Sequence, residues 1–114
     1  MRTRPTITLP VPRIVVRGEF GVDVAELVTR KLAPVARHAH VPLLDMHVRL
    51  TRHENLAGGR PVIVEVTLDV NGRQVRAEAD AHGARDALDR VVDRLVRQLD
   101  SPPDPRRRRA GGRR

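Results

Sequence analysis

Apolar residues fall along this chain in two rhythms, every second position and every third or fourth. The first ten residues are Thr/Pro-rich and show neither, which reads as a flexible arm over residues 1–10. Val11 to Arg17 is β-rich, with Ile14 and Val16 on one face. Gly18 and Gly21 punctuate a turn around Phe20, the one aromatic residue. A helical pattern follows, in which Ala25, Val28, Leu32, Val35, Ala36 and Ala39 share a face. Asp23 and Glu26 at its start, and Arg30, Lys31 and Arg37 further on, suit the helix dipole. Pro34 lies inside the pattern and deletes a backbone hydrogen bond, so the helix is expected to kink or end early there.

Strict alternation then returns. From Leu44 to Arg52, Leu44, Met46, Val48 and Leu50 point one way and Asp45, His47, Arg49 and Thr51 the other. His53 to Arg60, with Gly58-Gly59, reads as a loop. Val62, Val64, Val66, Leu68 and Val70 share the next strand face. Asn71-Gly72 is a hairpin signal, because a type I′ turn needs positive φ at both central positions. The return strand runs from Arg73 to Asp80, with Val75, Ala77 and Ala79 inward. A last helix spans His82 to Leu99, with a stripe of Ala84, Ala87, Leu88, Val91, Val92, Leu95 and Leu99.

The order β-α-β-β-β-α predicts a two-layer α+β domain over residues 11–100. Every strand alternates, so one sheet face is buried. Both helices carry one apolar stripe, so both are expected on that face of the four-stranded sheet. Ser101-Pro102-Pro103 stops the last helix, and residues 101–114 read as a disordered Arg-rich tail.

Composition narrows the function. The 114 residues carry 22 Lys+Arg against 14 Asp+Glu, a formal charge of +8. Lys31 is the one lysine, and arginine forks suit phosphate. With no Cys there is no disulfide, no thiolate zinc site and no thiol nucleophile. No apolar run approaches the roughly 20 residues that span a bilayer, and the amino-terminal residues lack the apolar core of a secretory signal. A soluble, cytoplasmic protein with no membrane partner is expected. Ser101 is the one serine and stands in no nucleophile motif, and the five histidines meet no metal-ligand spacing. The chain therefore reads as no enzyme, with no metal, no cofactor and no small-molecule substrate.

Binding chemistry is better represented. Arg90, Arg94 and Arg97 project from one side of the last helix. Asp86, Asp89 and Asp93 are interleaved with them, so a solvated face with Asp86–Arg90 and Asp93–Arg97 pairs competes with phosphate contact. The block Arg106, Arg107, Arg108 and Arg109 binds phosphate, or an anionic membrane surface, by charge density alone. One Phe cannot form a stacking platform for single-stranded bases. Nucleic-acid recognition here would use backbone and shape, on folded RNA or a duplex.

The last helix also carries a resemblance. Ala87-Leu88-Asp89, Asp93-Arg94-Leu95 and Arg97-Gln98-Leu99 resemble the final helix of the ribosome hibernation-promoting factor family, the sigma-54 modulation proteins. Val75-Arg76-Ala77-Glu78 is similar to the strand before it, and Arg30-Lys31-Leu32 to part of the family's first helix. Arg85 stands where the family often has Tyr. The resemblance implies a short-form factor that binds rRNA of the small ribosomal subunit in the mRNA/tRNA channel and inhibits translation under stress or in stationary phase. By position it nominates Lys31, Arg76, Arg94 and Arg97, and geometry adds Arg30, Arg37 and Arg90. A second copy is a further candidate partner, for the exposed sheet face. Two other readings remain: a general double-stranded RNA binder, and a protein-interaction domain with a solubilising basic tail.

Overall fold

The computed structural model describes residues 10–39, 42–53 and 61–100. The elements are β1 (Arg13–Arg17), α1 (Val24–His38), β2 (Leu43–Arg52), β3 (Val62–Val70), β4 (Arg73–Ala81) and α2 (Ala84–Asp100). They build a four-stranded sheet of order β1-β2-β3-β4, with β1 parallel to β2 and the other neighbours antiparallel. The expected α+β architecture is present. Residues 1–9 of the arm expected over 1–10, the tail over 101–114 with Arg106, Arg107, Arg108 and Arg109, and the loop residues 54–60 lie outside the described residues.

Local chemistry sets the element ends. Asp23 caps α1, its Oδ1 accepting the Glu26 backbone N–H at 3.2 Å. At the β3–β4 hairpin Asn71 has φ 54° and Gly72 φ 95°, the positive pair a type I′ turn requires. Asp69 braces that turn by accepting the Gly72 N–H at 2.7 Å. After β1 the chain turns at Gly18, φ 103°, close enough to β2 that a side chain there would meet the Cβ of Arg52 at 2.9 Å.

The inward residues of all four strands and both helices form one apolar cluster, so both helices lie on the same sheet face. Leu32, Met46, Leu50, Leu68, Leu88 and Leu95 are fully enclosed, each contributing on the order of 1.5–3 kcal/mol by leaving water. Among the described residues no polar or charged side chain is buried. Whatever this fold recognises, it does so at its surface.

Four sequence expectations need correction. Leu43, not Leu44, faces the core, and Leu44 is 57 % exposed. A register shift between Leu43 and Asp45 breaks the alternation there, as a bulge does. On α1, Leu27 is buried while Ala25 is exposed. That helix packs against α2 as well as the sheet, so its stripe widens on the α2 side. Pro34 does not end α1, which continues to His38. Proline there withholds only the N–H that would reach the Arg30 carbonyl. Finally, β1 is shorter than expected, and Val16 at this sheet edge stays 41 % exposed.

Candidate nucleic-acid interface

Strand direction fixes helix direction. β1, β2 and β4 run one way and β3 the other. Each helix returns against the strand before it, so α1 and α2 lie parallel in one layer. One ion pair and one His–Asp contact set their register. Lys31 Nζ is 2.9 Å from Asp89 Oδ1, and His38 Nδ1 is 3.1 Å from Asp100 Oδ1. A residue of α1 is thus level with one about sixty further on, which places Arg30 beside Arg90 and Arg37 beside Arg97.

The helical period decides which way these residues project. On α1, Leu27, Lys31, Pro34 and His38 turn toward α2, and Arg30 and Arg37 stand on the outer ridge, exposed. On α2, the stripe from Ala84 to Leu99 is buried, Arg97 stands on the outer side, and Arg90 lies on the flank over β4. Within each helix the two arginines are two turns apart, about 10.5 Å along the axis. Packed helices sit about 8–10 Å apart. Arg30, Arg37, Arg90 and Arg97 thus stand as four corners of the helical layer in two level pairs, with Lys31 and Asp89 between the helices.

Each corner has its own electrostatic situation. Arg30 and Arg37 make no hydrogen bond or ion pair with a described residue. Arg97 Nη2 lies 2.8 Å from Asp93 Oδ2, the i, i+4 pair expected from the sequence. The expected Asp86–Arg90 pair is replaced by another contact. Arg90 Nη1 donates to the Asp80 carbonyl at 2.8 Å. Arg94 Nη1 donates to the Glu78 carbonyl and Gln98 Nε2 to the Arg76 carbonyl, the latter at 2.8 Å. β4 is an edge strand, so alternate carbonyls face away from β3 and a side chain from α2 covers each of these three. Each guanidinium has five donors and gives one here, leaving the others in a held geometry for an anion.

Arg76 stands apart from this set. Its side chain lies on the open sheet face, opposite both helices, paired with Glu65, whose other oxygen is 3.8 Å from Arg49. A shallow polar groove of about 420 Å³ lies at the hairpin end of the same face, lined by Arg13, Asp45, His47, Thr67, Asp69, Gly72 and Gln74. Its charges are largely spent on each other. Arg13 Nη2 meets Asp45 Oδ2 at 2.7 Å, and that bond holds the Asp45 carboxyl below its usual pKa. The structure therefore joins Arg30, Lys31, Arg37, Arg90, Arg94 and Arg97 on one side and leaves Arg76 on the other. Sequence reasoning missed Gln98, although its spacing from Arg90 and Arg94 puts all three on one helix flank. It also missed Asp89 as the partner of Lys31, which only the interhelical register reveals.

No group of three or more His, Asp or Glu side chains among the described residues is placed to hold a metal ion. No helix among them is long and apolar enough to cross a membrane.

Residues 13–102 match the family model described as Sigma 54 modulation protein / S30EA ribosomal protein. The chain belongs to this family. The expectation drawn from the motifs of α2 is met at that level. Among solved structures, the fold is similar to the N-terminal domain of Protein Y from Thermus thermophilus. Identity is 28 %, the TM-score is 0.64, and the match covers 77 % of this chain and 92 % of that one. It is also similar in fold to a ribosomal subunit interface protein from Coxiella burnetii, at 17 % identity and a TM-score of 0.60, covering 77 % and 91 % of the two chains. Comparison with curated proteins found no significant match.

Proposed function

We propose that this S30EA-family protein is a non-catalytic ribosome hibernation factor of the cytoplasm. It binds the small ribosomal subunit in the mRNA/tRNA channel through rRNA phosphates and thereby inhibits translation. The family match over residues 13–102 carries the ribosomal part of this reading. The arginines of the parallel helices supply the chemistry, because guanidinium forks on a rigid layer fit phosphate oxygens without base readout. The lack of aromatic platforms agrees with recognition by backbone and shape. Arg106, Arg107, Arg108 and Arg109 add sequence-independent attraction to the same polyanion.

The test is co-sedimentation of residues 1–114 and 1–100 with purified small subunits at near-physiological salt, with duplex RNA as competitor. Pelleting of both forms, undisturbed by duplex, supports recognition of a ribosomal site by the folded domain. If only the full chain pellets and duplex strips it off, the protein is a general polyanion binder.

A further inference from the structure

We infer that Asp89 is a positioning residue for RNA binding, holding the Lys31 ammonium in the valley between α1 and α2 where a phosphate can reach it. This rests on the ribosome-binding reading above. Lys31 is the one lysine of the chain, and its side chain is only 25 % exposed. The stem lies between the helices and the ammonium emerges against Asp89, at 2.9 Å. One of its three N–H donors serves Asp89 and two remain for an anion. The arginine corners stand on either side of it.

An acid in a phosphate-binding surface weakens attraction through its charge. The three acids in the first part of α2 nonetheless differ in what they hold. Asp86 is exposed and makes no hydrogen bond or ion pair with a described residue. Asp93 pairs along its own helix with Arg97. Asp89 alone among the three reaches across to α1. A lysine fixed on folding need not be fixed again on binding. For a side chain with this many rotamers that pre-ordering is worth about two- to tenfold in affinity. Loss of one negative charge, by contrast, raises affinity only modestly.

The two effects have opposite signs, so chemically identical substitutions one helical turn apart separate them. The full chain and its Asp86→Asn, Asp89→Asn, Lys31→Ala and Lys31→Ala/Asp89→Asn variants are titrated with purified small ribosomal subunits at fixed salt. Asp86→Asn is expected to bind about twofold more tightly, from charge alone. Asp89→Asn is expected to bind about two- to fivefold more weakly, the lost pre-ordering outweighing the same twofold charge gain. In the Lys31→Ala background, Asp89→Asn has nothing left to hold and should strengthen binding as Asp86→Asn does. An Asp89→Asn affinity that is unchanged or raised in the native background overturns the inference. So does a loss that persists without Lys31, because that marks a merely structural role. If the unsubstituted chain does not bind subunits, the ribosomal reading itself fails and this inference falls with it.

Discussion

Single contacts between residues set the shape of the surface. Arg13 bonds Asp45 and lowers its pKa, chiefly through the side-chain hydrogen bond and secondarily through its charge, against some desolvation. A carboxylate held below its unfolded value of 3.8 contributes stability above that pH and loses it as pH falls through the lowered value. NMR titration should place the Asp45 midpoint below 3.8, and Arg13→Ala should return it toward that value. The pair is exposed, so its effect on overall stability should be small. Gly18 matters more. Alanine there would need positive φ and would meet Arg52, whose guanidinium lies 4.7 Å from the Phe20 ring centroid and whose Nε donates to the Glu19 carbonyl at 2.8 Å. Gly18→Ala should cost about 1–3 kcal/mol in thermal unfolding.

At the scale of elements, α2 does two jobs with one set of side chains. Its buried stripe packs the helix onto the sheet, and Arg90, Arg94 and Gln98 cover outward carbonyls of β4. Arg97 pairs with Asp93 on the exposed side of the same helix. Arg94→Met should therefore lose about 1 kcal/mol of stability as well as RNA affinity. Arg97→Met should stay within about 0.5 kcal/mol of the parent in unfolding while losing affinity to a similar degree. Within α1, Pro34→Ala restores the donor to the Arg30 carbonyl and should stabilise the fold by about 1–3 kcal/mol in chemical denaturation. Most elements were legible in the sequence, because period-two and period-3.6 patterns report burial on one face directly. The alternation over Val62–Val70 and the Asn71-Gly72 signal coincide with β3 and its hairpin turn. The misread positions have contacts that a local pattern does not contain. A bulge swapped Leu43 for Leu44, and the neighbouring helix drew Leu27 inward. The candidate cations were legible as residues, but their division into a helical set and an isolated Arg76 required the sheet.

At the scale of the whole molecule, the two layers differ in how they use charge. The open sheet face pairs Arg13 with Asp45 and both Arg49 and Arg76 with Glu65, while Arg17 at the end of β1 has no acid partner among the described residues. The helical layer leaves Arg30 and Arg37 without described partners and sets them level with Arg90 and Arg97. The sheet edges are guarded too. Side chains from α2 cover β4, and the short β1 begins and ends with arginine, which discourages edge-to-edge pairing. In the function proposed above, the helical layer is the face offered to a polyanion. The most direct test of that account is the salt dependence of affinity for purified small subunits, comparing the full chain with its Arg30→Gln/Arg37→Gln/Arg97→Gln variant. The parent, with about six phosphate contacts, should lose roughly 10³ in affinity between 50 and 200 mM salt. The variant should show a slope shallower by about two to three, one contact at each lost corner. Parallel lines, or affinity independent of salt, would contradict the assignment of the helical layer as the RNA-binding face.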